Sequence, residues 1–276
     1  QAFLTPPPDP YMETFHAIFL GIVQGITEFL PVSSSGHLQI AKELLGVQLE
    51  ENLTFDVLLH AGTVLSTLVV LRREIFRLLR GLFARRFNEE KSYVLKLLLS
   101  MIPIGIVGLL LMDRLNALLS SPAILAVVGA MLLLTAALLA FAYYARPRQK
   151  QTISYRDAFL IGVAQAAAAM PGLSRSGATI ATGLLLGNQK TAVARFSFLM
   201  VLAPIIGQTL LDVLDAGGLP DAGVGAAPLI AGFLASFLTG CAACKFMLEI
   251  VRRGKLIWFA VYCAAAGLFA ILWYLL

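Results

Sequence analysis

Residues Ala17 to Gly36, AIFLGIVQGITEFLPVSSSG, return 141 positions later as AFLIGVAQAAAAMPGLSRSG, Ala158 to Gly177. The pairs Ala17/Ala158, Gly21/Gly162, Gln24/Gln165, Ser33/Ser174, Ser35/Ser176 and Gly36/Gly177 keep that offset, and Pro31/Pro171 slips by one. The chain is an internal duplication, so any fold it adopts has to accommodate two related units. The copies differ in chemistry. Where the first has Glu28, Ser34 and His37, the second has Ala169, Arg175 and Ala178. An acid and a base stand on one side, a permanent cation on the other.

Hydropathy decides the setting of both units. Apolar residues make up 59% of the chain and charged ones 13%, with a mean hydropathy of +0.84, far above an average soluble domain. The expected fold class is an all-α integral membrane protein. Apolar runs of about 20 residues, enough to cross a hydrocarbon core of roughly 30 Å, read at 53–71, 93–112, 122–144, 192–211, 225–250 and 256–276. They predict six transmembrane helices, and period-2 alternation of the barrel type is absent.

The repeated segments behave differently. Each has a first apolar arm of about 15 residues, 16–30 and 157–170, then a Pro/Ser/Gly break, then a shorter arm, 38–46 and 178–187. At 1.5 Å per residue the first arm reaches only about 22 Å, so neither arm spans alone. They read as re-entrant helical hairpins over 16–46 and 157–187. Irregular backbone at membrane depth is tolerated only where it is buried in protein or lines a polar cavity. Three full spans lie between the hairpins, an odd number, so the second enters from the opposite side. That is an inverted-topology repeat with the two tips meeting near the midplane. The expected organisation is one membrane domain, with 12–144 as first repeat and 155–276 as second, each a hairpin plus three transmembrane helices.

Basic residues orient it. Arg72, Arg73, Arg77, Arg80, Arg85, Arg86 and Lys91 crowd one loop, Arg146, Arg148, Lys150 and Arg156 the next of that side, and Arg252, Arg253 and Lys255 the last. These loops are expected to be cytoplasmic. The alternate connections hold only Arg114, or Asp212, Asp215 and Asp221 without a cation, and face outward with Glu50 and Glu51. The net charge of +5 follows from topology and implies no nucleic-acid partner. Residues 1–11 have no signal-peptide architecture and read as an appended remnant, with Met12 the native start. Cys241, Cys244 and Cys263 sit in apolar spans and read as packing residues.

Polar residues within the hairpins carry the chemistry. Gln24 and Glu28, four apart, share a helix face with Thr27 adjacent, and an ionisable residue at this depth is a functional candidate. Ser33, Ser34 and Ser35 stand at the start of a returning helix, where free N–H groups hold phosphate; a plain helix cap reads equally well. His37 beside Ser34 supplies a base next to a hydroxyl, the minimum for an activated nucleophile. In the second hairpin Arg175 stands amid Ser174, Ser176 and Thr179, a guanidinium able to grip phosphate oxygens in pairs. Together these groups suit phosphoryl chemistry on a substrate with a long apolar tail.

Gln24-Gly25-Ile26-Thr27-Glu28-Phe29-Leu30-Pro31-Val32-Ser33-Ser34-Ser35-Gly36-His37 and the segment Pro171 to Thr179 resemble the two motifs of the bacitracin-resistance family of undecaprenyl pyrophosphate phosphatases. The likeness extends through Phe55-Asp56-Val57, His60 to Thr63 and Arg195 to Leu199, nearly the whole chain. It implies removal of the terminal phosphate of undecaprenyl pyrophosphate at the outer face of the bacterial inner membrane, regenerating the cell-wall lipid carrier. It also implies a divalent cation, Mg or Ca. By matched positions Glu28, Ser34, His37 and Arg175 become the catalytic candidates, with Glu28 the metal ligand. Gln24, Thr27, Ser33, Ser35, Ser174, Ser176 and Thr179 are expected around the phosphates. Gln24 stands where many members of that family have Glu, which removes one possible metal ligand. Expected partners are the polyprenyl pyrophosphate lipid and the bilayer, with room for a homodimer.

Two mechanisms fit this set. In one, Ser34 deprotonated by His37 attacks the outer phosphorus, with Arg175 and the helix-start amides on the developing charge and Glu28 positioning a metal ion or water. In the other, Glu28 and His37 activate water directly. Outside hydrolysis, inverted repeats with broken helices also build transporters, so a flippase binding the same head group is the alternative function. Asp56 and His60 read as polar support for the first hairpin, and Arg195 as a side chain reaching to the interface.

Overall fold

The computed structural model describes residues 10–45, 53–119, 121–144, 150–207 and 225–276. Residues 1–9, Glu50 and Glu51, Arg146 and Arg148, and the acidic stretch with Asp212, Asp215 and Asp221 lie outside them. Helices account for the described elements, without a strand among them: α1 Pro10–Phe29, α2 Ser34–Leu45, α3 Leu53–Val70, α4 Arg72–Leu82, α5 Glu89–Leu119, α6 Ile124–Tyr144, α7 Tyr155–Ala167, α8 Arg175–Leu185, α9 Lys190–Met200, α10 Ala226–Arg253 and α11 Ile257–Leu275. Five are long and apolar enough to cross a membrane, over 89–111, 124–144, 190–207, 226–253 and 257–275; α3 with α4, bent by 75° between them, makes a sixth when taken as one broken span. The chain is a multi-pass helical membrane protein.

The repeated segments form two helix–break–helix units, α1/α2 and α7/α8. Pro31 disfavours helix at Leu30, and α1 stops at Phe29. The second arms begin earlier than apolarity alone suggests, at Ser34 and Arg175 rather than near 38 and 178. The reason is capping: the Ser33 hydroxyl accepts from Gly36 N–H at 3.3 Å and the Ser174 hydroxyl from Gly177 N–H at 3.1 Å. These polar turns start a helix without apolar residues.

Each unit lies against a helix from the other half of the chain. The arm α1 runs along α10, and α7 along α5. The repeat pair Gly21/Gly162 makes both approaches possible: a Cβ on Gly21 would strike the Gly232 carbonyl, and one on Gly162 would lie 2.8 Å from Ser100 Cα. Small residues at such crossings let backbones close in, which is how helices associate when lipid supplies no hydrophobic drive. Helix α10 is also pinned to α3, where Ser66 Oγ donates to Phe237 O and Ser236 Oγ to Leu59 O, both at 2.7 Å. Asp56 on α3 pairs with Lys42 on α2 at 2.9 Å, so it supports the first unit as its position in the sequence suggests.

Helix α4 is amphipathic and leaves Phe76 and Leu79 exposed beside Arg73 and Arg77. At the entry to α7, the Ser154 hydroxyl caps the helix by accepting from Asp157 N–H at 3.0 Å, and buried Asp157 pairs with Lys150 Nζ at 3.0 Å. Burial pushes the Asp157 carboxyl up, but hydrogen bonds from Lys150, Asn188 and Ser154 with the Lys150 charge outweigh it and hold it below the usual carboxylate range. A lowered folded-state value makes the stabilisation complete above the unfolded value of about 3.9, and lost as pH falls through the folded one. Thermal melts in detergent should show wild type more stable than Asp157→Asn by a constant margin from pH 5 to 7, the margin shrinking below pH 4. A margin that does not change with pH would remove the ion pair as its source.

Candidate active site

The two breaks meet. Ser176 Oγ, on the second unit, donates to Leu30 O of the first at 3.0 Å, and a Cβ on Gly36 would lie 3.3 Å from Gly172 Cα. Helix α6 braces the junction, with Thr135 Oγ1 accepting from Ser174 N–H at 3.0 Å. Gly172 is left-handed at φ +91°, and a side chain there would run into Val128 of α6. Only glycine fits that turn.

Glu28 sits at the centre of this junction with its side chain 6% exposed. Its Oε2 accepts from Ser34 Oγ at 2.7 Å and from Gln24 Nε2 at 3.1 Å. Its Oε1 faces Arg175 Nη2 at 3.9 Å, beyond hydrogen-bond range. Opposite charge compensates the buried carboxylate, whose desolvation would otherwise cost several kcal/mol, on the order of the penalty for any buried ion. Among the described residues the Arg175 guanidinium makes no hydrogen bond, so its planar fork is available to an anion.

The asymmetric positions of the repeat are the ones in contact. Glu28, Ser34 and Arg175 have no like-for-like partner in the other copy, and they touch or face one another. Ser33 and Ser35, by contrast, share a hydroxyl pair at 3.3 Å that Ser174 and Ser176 reproduce at 3.3 Å. The capping bond and the hydroxyl pair are common to both units, while Ser176 also reaches across to Leu30 O.

Other site residues are committed locally. Thr27 Oγ1 bonds back to Val23 O at 2.6 Å, and Thr179 Oγ1 to Arg175 O at 2.8 Å and Ser197 Oγ at 2.5 Å. His37 does not pair with Ser34. Its Nδ1 meets Ser33 O at 2.8 Å, four residues back and held in place by the left-handed φ of +71° at Ser33, and its Nε2 meets Tyr262 Oη at 2.7 Å. Ser34 bonds Glu28 instead. Tyr262 and Thr135 lie outside the matched motifs, and Ser197 falls within the Arg195 to Leu199 segment; a hydroxyl within an apolar span is the signal that marks them.

A cleft opens beside Glu28 and Arg175. Thr63, Thr67 and Ser197 line its polar part, while Phe198, Leu202 and Ile205 make the rest apolar. His60 lies one turn from Thr63 on the same face of α3, and its carbonyl accepts from Thr63 Oγ1 at 2.8 Å. The lining thus joins charged and hydroxyl groups to apolar ones.

The family model for the bacitracin resistance protein BacA matches residues 17–269. The chain belongs to that family. It is 58% identical over 267 residues to an undecaprenyl-diphosphatase of Parabacteroides distasonis, covering 94% of this chain and 98% of the relative. To proteins of the same name it is 39% identical in Halothermothrix orenii, over 95% of this chain and 98% of the relative, and 35% identical in Methanosphaera stadtmanae with the same coverage. Within this BacA-family chain, then, the Glu28, Ser34 and Arg175 cluster falls inside the matched region, and so does Tyr262.

Proposed function

We propose that this chain is an undecaprenyl-diphosphatase, a membrane hydrolase that releases the terminal phosphate of undecaprenyl pyrophosphate and returns undecaprenyl phosphate to cell-wall synthesis. Near-full-length identity to relatives of that name supports the activity. The observation that carries the chemistry is the 2.7 Å contact from Ser34 Oγ to Glu28 Oε2. A protein that only bound or flipped the lipid would not need a buried carboxylate on a serine hydroxyl.

In the mechanism we favour, Ser34 Oγ attacks the terminal phosphorus as its proton passes to Glu28. The new O–P bond forms, the bridging P–O bond breaks, and undecaprenyl phosphate leaves. Arg175 holds the non-bridging oxygens, and the N–H groups at the starts of α2 and α8 face the same charge. Water then attacks the phosphoserine, giving one proton to His37, while Glu28 returns its proton to Ser34 and phosphate departs. Glu28 thus takes the first-step role that motif spacing suggests for His37, which serves the second. Ser33, Ser35, Ser174, Ser176 and Thr179 hold the two turns that aim these amides.

The residues fit a divalent cation, Mg or Ca, that draws most of its ligands from phosphate and water. Buried Gln24 keeps its amide oxygen without a hydrogen-bond partner beside the Glu28 carboxylate. Among the described residues no group of three or more His, Cys, Asp or Glu side chains comes together as a protein cage would require. Glu28 and Gln24 would hold the ion, which when bound shares the charge of the transferring phosphoryl group.

We read α1/α2 and α7/α8 as re-entrant hairpins of an inverted repeat in the bacterial inner membrane, with the site open to the outer side. Support comes from the exchange of partners between halves and from the basic residues at 72–91.

Purified protein in detergent should release phosphate from a prenyl pyrophosphate, lose that activity to a chelator and regain it with Mg or Ca. Ser34→Ala should fall to background, and Arg175→Lys, which keeps the charge but not the fork, should lose about a hundredfold or more. Turnover in Ser34→Ala near that of wild type would overturn the assignment. For the topology, intact cells should label a cysteine at Gly218→Cys with an impermeant reagent and leave Phe83→Cys unlabelled; the reverse pattern would invert the orientation.

A further inference from the structure

Tyr262 stands 225 residues from His37 in sequence and 2.7 Å from its Nε2 in space. The atoms fix who donates. Ser33 O is a carbonyl and can only accept, so His37 Nδ1 carries the hydrogen at that 2.8 Å contact. In the neutral ring Nε2 is then the bare nitrogen, and the Tyr262 hydroxyl donates to it. Both ring nitrogens are engaged, and the two rings lie nearly parallel at 16°.

Tyr262 is itself held. The next residue, Cys263, is fully buried and its Sγ donates to Pro31 O at 3.4 Å, tying α11 to the break of the first unit. Buried Ala260 packs in the same cluster with Val32 and Val128. The tyrosine hydroxyl therefore approaches His37 from a fixed frame, and that frame includes the tip that carries Ser34.

We propose that Tyr262 is a positioning residue of this site, its hydroxyl fixing the tautomer and ring plane of His37 so that Nε2 is kept as the basic nitrogen. The inference rests on the phosphatase reading above and extends it. In the second step the water that opens the phosphoserine needs a lone pair at a known place, and Tyr262 holds that lone pair at Nε2 until water takes the hydroxyl's place. The tyrosine contacts neither phosphate nor serine. It acts through His37.

The test separates the hydroxyl from the ring. Tyr262→Phe keeps the stacked ring and removes the donor, whereas Tyr262→Leu removes both. Positioning predicts that kcat for prenyl pyrophosphate falls about tenfold in Tyr262→Phe with KM within about twofold, and that Tyr262→Leu is hardly worse. Ring 15N spectra of protein labelled at its three histidines, with the His37 signals assigned by their loss in His37→Gln, should show the Nε2 resonance of His37 move in Tyr262→Phe. Wild-type kcat in Tyr262→Phe, or an unmoved Nε2 resonance, overturns the proposal. If wild-type protein itself released no phosphate, the phosphatase reading would fail, and the spectra alone would still decide whether Tyr262 holds His37.

Discussion

A helix broken inside an apolar shell leaves amide and carbonyl groups that water cannot reach, and this chain answers by setting two such breaks against each other. Ser176 of one tip satisfies Leu30 O of the other, Thr135 satisfies Ser174 N–H, and Cys263 reaches Pro31 O. Each bond crosses between elements far apart in sequence. The tips are therefore stable only in the assembled bundle, where the cost of an orphaned backbone group, several kcal/mol in hydrocarbon, is removed. Close packing of α1 on α10 and α7 on α5, through Gly21 and Gly162, holds the two tips at that meeting point.

Duplication explains both the likeness and the division of labour. The capping serines recur in the two copies because both turns need the same bonds. Freed from capping, the residue between them diverges: Ser34 in one copy bonds Glu28, and Arg175 in the other faces the same carboxylate from 3.9 Å. A nucleophile candidate and an anion-binding cation thus reach a single carboxylate from opposite units. Neither unit could build that arrangement alone.

Much of this is legible in the sequence. Apolar runs mark the spans, the 141-residue repeat marks the paired units, and the unlike residues at equivalent positions, Glu28, Ser34 and Arg175, mark the chemistry. The pairing within the site is not. Spacing puts His37 one helical turn from Ser34, yet the left-handed turn at Ser33 offers its carbonyl to the imidazole, and Tyr262 takes the other nitrogen. That depends on the packing of α11 against α6, which no local pattern encodes. The starts of α2 and α8 are legible only from the serines: polar capping residues begin a helix where hydropathy reads a loop.

The central claim is that Ser34, prepared by Glu28, accepts the phosphoryl group. Rapid quenching of wild-type protein with substrate labelled at the terminal phosphate, followed by peptide mapping, tests it most directly. The account predicts acid-stable label on the peptide spanning Ser33 to Ser35, absent in Ser34→Ala and formed much more slowly in Glu28→Gln. Turnover without any labelled peptide at the earliest times would contradict it and assign the attack to water.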